Sequence, residues 1–364
     1  MSNREQVQAA GRRLSDATAA VRLAAAAELH RMARERASLL PVKDALVTAL
    51  EDTVGQVQVD AALALLVDSW RFAGLMPVID ELRNLTEGGA PGAARAALTT
   101  AASLRGDVPK AGAVLVPLLA HGLPRTVEAL RRLAGQGADV GPALAAIERQ
   151  SPAPHTPMGD LWLSALGRTE PRQVLARSGR LRGWMQADEA DWRYDDVRHR
   201  AAGLLCRAAL QSGDEELAVE IGQHPHAAVR EAAMGAWAES LAAGRLQRQA
   251  IALLATAAED VAGGVRYAAV KGLCRAVAAG ANLVAQRRAL AELAPRAEYL
   301  STGWTHPLDA AACSDLRGES AAADLAEAAA TLAVRAGDAI LLAELRGHAN
   351  PEVARGASAN RQET

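Results

Sequence analysis

One short pattern recurs along the chain and restricts the possible folds more than any other feature. A polar residue is followed by a turn and then by Val-Arg or Val-Gln, where a helix-forming run begins. The polar residue lies six positions before the Arg or Gln in each of these copies: Asp16/Arg22, Asp52/Gln58, His224/Arg230 and Asp260/Arg266. The valines of successive copies are 32 to 36 residues apart, as at Val197, Val229 and Val265. That step is the size of a two-helix unit, so the pattern predicts a helical repeat array.

Composition favours the same fold. Half of the 364 residues are hydrophobic, but only 3% are aromatic, and alanine dominates. Alanine is the strongest helix former, and its small side chain lets helices approach closely. The sequence has no long alternating runs of β-branched residues, so very little strand is expected. Thin layers of stacked helices fit this composition better than a sandwich or a barrel.

Hydrophobic spacing predicts individual helices near the N-terminus. They are expected over about residues 17–36, 42–51 and 54–72, with Ser15-Asp16 capping the first. In the third helix, these apolar residues are expected to be buried: Val57, Ala61, Leu65 and Trp70. Glycine and proline breaks then separate segments of about 12 to 20 residues, a usual helix length in repeat arrays.

Four stretches combine the turn residue, the Val-Arg pair and, in three of them, a following alanine pair. They are Asp16/Val21-Arg22, Asp195-Asp196/Val197-Arg198-Ala201-Ala202, His224/Val229-Arg230-Ala232-Ala233 and Asp260/Val265-Arg266-Ala268-Ala269. These stretches resemble the HEAT/armadillo-like helical repeats, including those of bacterial HEAT-repeat proteins. The resemblance implies an all-α fold, a right-handed α-solenoid of HEAT-like two-helix repeats.

The same resemblance implies roles for the paired residues. The acid orders its own turn, and the Arg reaches a neighbouring turn, so that a ladder joins the repeats. These roles fall to Asp16, Arg22, Asp260 and Arg266. Gln58 and His224 depart from the pattern, and we expect the ladder to be interrupted there.

The solenoid is expected to span residues 1–358 as a single domain, with a disordered tail at 359–364. The region 151–195 begins with the proline-rich SPAPHTP and is predicted to be irregular, between sub-modules 1–150 and 177–358. A longer repeat, offset by 124 positions, aligns Gly213-Asp214, Leu217, His224 and Val229 with Gly337-Asp338, Leu341, His348 and Val353. Duplication of a multi-helix module explains this match, and chance alignment of alanine-rich sequence is the alternative.

Charge and cysteine content argue against several classes of protein. Forty Lys plus Arg against 42 Asp plus Glu give a net charge of −2, which disfavours nucleic-acid binding. The spacing of Cys206, Cys274 and Cys313 fits no metal or redox motif, and the first two are expected to be buried thiols. The sequence has neither a signal-peptide core nor about 18 consecutive apolar residues, which predicts a cytoplasmic protein without membrane contact.

Two aromatic segments are candidate partner-binding sites. The first holds Trp184, Trp192 and Tyr194 among several acids, and either binds a basic partner or fills a gap between repeats. The second contains Gly303-Trp304, which matches Gly183-Trp184 of the first at an offset of 120 positions. It holds Tyr299, Trp304, His306 and Asp309, with Cys313 nearby. Its spacing matches no nucleophile or metal set, so structural loop residues or a partner contact are the two readings.

No motif in the sequence identifies a reaction: HExxH, Walker A, GxGxxG and GxSxG are all missing. We therefore expect a non-catalytic scaffold, without cofactor or metal ion, that binds a protein or peptide on its concave face or edge loops. One alternative is a nucleic-acid binder similar to DNA-glycosylase-type HEAT-repeat proteins. Another is an accessory protein of an enzyme or a cofactor-attachment system.

Overall fold

The computed structural model describes residues 2–71, 75–88, 91–103, 115–116, 119, 124–135, 137–186, 194–245, 247–297 and 320–359. Every regular element within these ranges is a helix, which confirms the predicted all-α fold. Contacts divide the chain into two compact units, unit 1 (Met1–Thr169) and unit 2 (Glu170–Thr364). The boundary falls inside the region predicted to be irregular. Continuity of one solenoid over residues 1–358 stays a prediction.

Unit 1 contains nine described α-helices. They are α1 (Asn3–Arg13), α2 (Ala19–Arg34), α3 (Lys43–Ala49), α4 (Gly55–Trp70), α5 (Met76–Gly88), α6 (Pro91–Ser103), α7 (Pro124–Gly135), α8 (Leu144–Glu148) and α9 (Pro157–Leu166). Short 3-10 turns at Leu40–Val42 and Gly141–Ala143 lead into α3 and α8. The first three helices predicted from hydrophobic spacing are all present, each a few residues shorter than expected.

Unit 2 contains eleven described α-helices. They are α10 (Pro171–Leu175), α11 (Ser178–Met185), α12 (Asp195–Ser212), α13 (Glu215–Gly222), α14 (Ala227–Ala242), α15 (Gln247–Ala257), α16 (Gly263–Ala278), α17 (Arg287–Leu293), α18 (Ala321–Ala336), α19 (Ala339–Arg346) and α20 (Pro351–Ala359). Two 3-10 turns, Val284–Gln286 and Ala294–Arg296, flank α17.

Each unit is built from helical hairpins whose second helices stack side by side. In unit 1, α2 packs against α4, and α4 against α6, while α1, α3 and α5 each pack against their own hairpin partner. In unit 2, the stacked series is α12, α14, α16, α18 and α20. Their hairpin partners α11, α13, α15, α17 and α19 form the other layer. The predicted helical-hairpin repeat architecture is therefore confirmed within each unit.

The long helix α4 shows why a hairpin needs its neighbours. Val57, Ala61 and Trp70 are completely buried and Leu65 almost so, as predicted from their spacing. A helix with apolar residues on several sides is stable only between other helices. Stacking against α2 and α6 supplies that environment.

Two expectations about irregular chain are wrong. Residues 151–156 are non-helical, but most of the stretch that follows, to Met185, is the three helices α9, α10 and α11. Pro157 and Pro171 stand in the first turns of α9 and α10, where a missing N–H costs nothing, so these prolines start helices. At the C-terminus, α20 includes Ala359, the first residue of the tail predicted to be disordered, and Ala357 is fully buried. Residues 360–364 of the predicted tail lie outside the described residues.

The two segments that align at an offset of 124 have the same local structure. Gly213 and Gly337 end α12 and α18 in the left-handed conformation, with φ of 79° and 67°. Asp214 and Asp338 then cap helices of eight residues each, accepting the third N–H of the helix at 3.1 Å in both cases. Such agreement of cap, helix length and turn favours duplication over chance.

Candidate functional site

The turns that open the second helices are held by arginines from the preceding repeat. Arg22 of α2 donates two hydrogen bonds to the carboxylate of Asp52, thirty residues later, at 2.7 and 3.1 Å. Asp52 also accepts the N–H of Val54 at 2.8 Å, which orders its own turn. The Arg22 hydrogen bond lowers the pKa of Asp52, against the opposing effect of burial. One carboxylate thus fixes a turn and joins two repeats.

Unit 2 repeats this arrangement with the same separation. Arg230 of α14 binds both oxygens of Asp260, each at 2.8 Å. Asp260 in turn accepts the N–H of Ala262 at 2.8 Å. A planar guanidinium that meets a carboxylate through two parallel bonds gives a directional contact. The spacing of the two repeats is therefore set by side chains as well as by packing.

The basic or amide residue after each valine also binds its own turn. Arg22, Arg230 and Arg266 each donate to the carbonyl oxygen six residues earlier, at 3.0, 2.9 and 2.5 Å. Gln58 makes the same bond to the Asp52 carbonyl at 2.5 Å. Six positions is the spacing seen in the sequence, and this hydrogen bond is its physical cause.

Two sequence-based expectations about these turns need correction. Thr18, and not Ser15-Asp16, is the residue that precedes α2; Asp16 instead accepts the Thr18 N–H at 2.7 Å. The ladder continues from the His224 turn to the next repeat. Arg230 donates to the His224 carbonyl, and its guanidinium also binds Asp260. His224 itself orders the turn, since its Nδ1 accepts the N–H of His226 at 3.1 Å.

The first aromatic segment is only partly accessible. Trp184 lies in α11 with 6% of its surface exposed, so it fills the interior of unit 2. Tyr194 is half-buried, with its ring 5.6 Å from the guanidinium carbon of the fully buried Arg198. Trp192 lies outside the described residues. The structure therefore brings Tyr194 to the start of α12 and leaves Trp184 in the core.

The second aromatic segment lies outside the described residues. Its four named residues fall outside the described part of the chain, as does Cys313: Tyr299, Trp304, His306 and Asp309. Their role as partner-binding residues stays a prediction.

An open depression lies at the turn before α14. Its volume is about 570 Å³, and it is lined by Gln186, Glu220, Gln223, His224 and Pro225. Arg182 of α11 already pairs with Glu220 at 2.7 Å. The depression is therefore a mixed-charge surface at the junction of α11 and α13.

A more extensive accessible surface lies on α14 and α16, and only part of it could be anticipated from the sequence. Counted from Val229 and Val265, the valines of the recurring pattern, the positions two, six, nine and thirteen residues later share one side of each helix. All eight are half-buried or exposed. We call them the second-helix face: Glu231, Gly235, Ala238, Ala242, Tyr267, Lys271, Cys274 and Ala278.

The same positions on α4 hold a different kind of residue. Counted from Val57, they are Val59, Leu63, Leu66 and Trp70, and all four are buried. Equal register in the repeat therefore does not imply equal exposure. On α14 and α16 the sequence places small and polar side chains where α4 has large apolar ones.

Charges around the second-helix face are paired between neighbouring helices. Lys271 of α16 contacts Asp324 of α18 at 2.9 Å, and its ammonium lies 5.8 Å from the centre of the Tyr267 ring. Arg207 of α12 lies 3.6 Å from Glu239 of α14. In both pairs a basic side chain of one stacked helix meets an acidic side chain of the next.

Neither described thiol is arranged for nucleophilic chemistry. Burial raises the pKa of Cys206 to about 12, and burial likewise raises the pKa of Cys274 to about 12. Both are therefore neutral thiols near pH 7, and the thiolate is the nucleophilic form. Among the described residues no three His, Cys, Asp or Glu side chains are grouped so that they could hold a metal ion. No helix in the same ranges is long and apolar enough to cross a membrane.

Comparison with known proteins gives structural likenesses only. No protein-family model and no curated protein matches the chain. An engineered protein aligns over 98% of both chains with 16% identity and a TM-score of 0.44. A structure concerned with a phosphorylation switch between cadherin and β-catenin aligns over 98% of this chain and 90% of its own, with 15% identity and a TM-score of 0.40. The karyopherin Kap121p, bound to the extreme C-terminus of the phosphatase Cdc14p, covers 98% of this chain but only 45% of its own length, with 12% identity and a TM-score of 0.32. The fold assignment rests on the helices and contacts described above.

Proposed function

We propose that this chain is a non-catalytic binding protein and that a protein or peptide partner docks on the second-helix face. One observation supports the proposal above all. Positions that carry large buried side chains on α4 carry small or polar, accessible ones on α14 and α16. Helix α4 shows that large apolar side chains can fill these positions and pack between helices. Packing between repeats therefore does not explain why the side chains on α14 and α16 are small or polar, whereas a binding role does.

The chemistry of the face suits a polypeptide. Gly235 has no atom within 4 Å of where a Cβ would lie, so a partner backbone can come close to α14 there. Tyr267 offers an aromatic surface with a polar edge, a residue type favoured at interface hot spots. Glu231 and Lys271 lie on the same face, where Lys271 is already paired with Asp324 of the neighbouring helix.

The same charges disfavour a nucleic acid. Nucleic-acid binding needs cations that are available to phosphates along one surface. Here Lys271 and Arg207 each lie beside a carboxylate of the neighbouring helix. We expect no salt-sensitive shift of duplex DNA in a gel, and a shift that weakens steeply with salt would revive the nucleic-acid alternative.

The test compares three kinds of variant in affinity capture with the full chain as bait. Gly235→Arg places a long charged side chain in the centre of the face, at a position where an added Cβ has no atom within 4 Å. Gly92→Arg is the matched control, because Gly92 is also an open helical glycine but lies on α6 of unit 1. Trp192→Ala and Trp304→Ala examine the two aromatic segments.

We expect Gly235→Arg to lose partners that wild type and Gly92→Arg retain, with unchanged helical circular dichroism. If Gly235→Arg retains every partner, the second-helix face is not the binding surface. If only the tryptophan variants lose partners, the aromatic segments replace it.

A further inference from the structure

Two turns of unit 2 use histidine where other turns of the same kind use aspartate. In the aspartate turns, a carboxylate oxygen accepts the N–H two residues later: Asp16 from Thr18, Asp52 from Val54 and Asp260 from Ala262, at 2.7 to 2.8 Å. In the histidine turns, an imidazole nitrogen does so. Nδ1 of His224 accepts the His226 N–H at 3.1 Å, and Nδ1 of His348 accepts the Asn350 N–H at 3.0 Å.

The two acceptors differ in how they respond to protons. An imidazole accepts through Nδ1 only while that nitrogen is unprotonated, and both nitrogens become donors in the imidazolium. Histidine is the side chain that ordinarily changes charge between pH 5 and 8. A carboxylate remains an acceptor throughout that range.

The surroundings of His224 contain charges of both signs. Arg230 of α14 donates to the carbonyls of His224 and Pro225, at 2.9 and 2.7 Å, which places a guanidinium beside the turn. Glu220 of α13 lines the same depression but is paired with Arg182 of α11.

Two further groups lie in this environment. His226 has its Nε2 3.4 Å from Asp195 of α12, while its Nδ1 accepts the Ala228 N–H at 3.3 Å. The carboxylate of Asp260 is occupied by Arg230. A proton on His224 would therefore add a cation next to Arg230 and remove an acceptor from the turn.

The His348 turn is similarly surrounded by paired charges. Glu344 of α19 lies 3.7 Å from Arg288 of α17. Glu352 of α20 pairs with Arg355. Arg346 of α19 donates to the Ala357 carbonyl at 3.5 Å.

We propose that His224 and His348 are proton-sensitive turn residues, whose protonation on mild acidification breaks the Nδ1 hydrogen bond and loosens the turns before α14 and α20. The aspartate turns at Asp16, Asp52 and Asp260 keep their hydrogen bonds under the same conditions. The two histidines occupy equivalent positions in the duplicated segments, so both copies respond together. The effect is independent of whether the second-helix face binds a partner.

The test follows backbone amides of the full-length protein by NMR from about pH 7.5 to about pH 5.5. We expect the amides of His226 and Asn350 to shift along a histidine titration and to lose about three- to tenfold of their exchange protection after correction for intrinsic rates, the range given by one ordinary hydrogen bond. The amides of Thr18, Val54 and Ala262 should remain unchanged. Constant shifts and protection at both histidine turns would overturn the proposal.

Substitutions check that the histidine itself is responsible. In His348→Asp, the Asn350 amide should become insensitive to pH over this range. In His224→Asp, the His226 amide should keep its exchange protection in acid, and the only remaining change in its shift should be the one caused by its own imidazole. The reciprocal variant Asp260→His should make the Ala262 amide pH-sensitive. If the pH dependence of the His226 amide is the same in His224→Asp as in wild type, another group causes it, and the proposal fails. The wild-type measurement tests the proposal even if a variant does not fold.

Discussion

Helices α4 and α14 begin with the same kind of turn but expose different sides of themselves. Leu63 on α4 and Gly235 on α14 both lie six residues after the pattern valine, yet Leu63 is 1% exposed, whereas Gly235 opens onto space. The turn geometry depends on the residues of the ladder. The exposure of the helix face depends on the residues two, six, nine and thirteen positions after the pattern valine. The ladder residues do not restrict what occupies these four positions. Equivalent places in a repeat can therefore serve packing in one copy and recognition in another.

The largest expected effect is at the α4 end of this comparison. Leu63→Ala should lower the free energy of unfolding by about 2–5 kcal/mol, because a buried leucine is replaced by a cavity. The urea midpoint followed by circular dichroism measures it. A loss of stability as small as that of a substitution at an exposed site would mean that the face of α4 that contains Leu63 is open, as the matching face of α14 is.

A smaller effect is expected where α14 meets α16. A Cβ added at Gly272 would lie 2.6 Å from Cβ of Ala238, and neither the alanine nor the helix backbone can move aside easily. Gly272→Ala should therefore cost about 1–3 kcal/mol in overpacking, which exceeds the gain in helix propensity. Urea unfolding at equilibrium tests this, and a stabilised variant would show that the two helices are not in close contact.

Gly235→Ala provides the opposite sign on the same helix. No atom lies within 4 Å of the added Cβ, so only the backbone effect remains. We expect a gain of about 0.5–1 kcal/mol, the usual advantage of Ala over Gly inside a helix. Thermal unfolding beside Gly272→Ala separates the two cases; a destabilised Gly235→Ala would show that this position is covered.

The smallest expected effect concerns the ladder in acid. The Arg22 hydrogen bond lowers the pKa of Asp52 in the folded state. The contribution of ionised Asp52 to stability is thus complete above the unfolded-state pKa of about 3.9. It is lost as the pH falls through the lower folded-state pKa. Asp52→Asn should show a lower melting temperature at pH 6 and a weaker decline between about pH 4.5 and pH 2 than wild type. Parallel curves would mean that Asp52 does not carry the effect.

Sequence reasoning reached the repeat architecture because its signals are local. The six-residue spacing reflects a bond from Arg22 to a carbonyl of its own turn, and such a bond leaves a fixed interval in the sequence. The buried face of α4 follows equally from helical periodicity. Prolines misled the prediction for 151–195 because Pro157 and Pro171 start helices there.

The accessible face was harder to foresee, since exposure depends on neighbours from distant sequence. Glu231, Tyr267 and Lys271 follow the Val-Arg pairs and could be named from the sequence. The open space above Gly235 could not, because it depends on what packs on either side of α14. Trp184 shows the same limit: the sequence allowed either a partner contact or a residue that fills a gap between repeats, and the position of α11 places it in the core.

The links between repeats have a direction, with Arg22 reaching forward to Asp52 and Arg230 to Asp260 across the same interval of thirty residues. In both links the donor is the arginine after the pattern valine, and the acceptor is the aspartate of the next turn. A gene that gains or loses a whole repeat of 32 to 36 residues between two such links therefore creates a new junction with matching ends. Arrays of this kind can change length during evolution without a new interface having to arise at each seam, and the duplicated segments of unit 2 are consistent with that history.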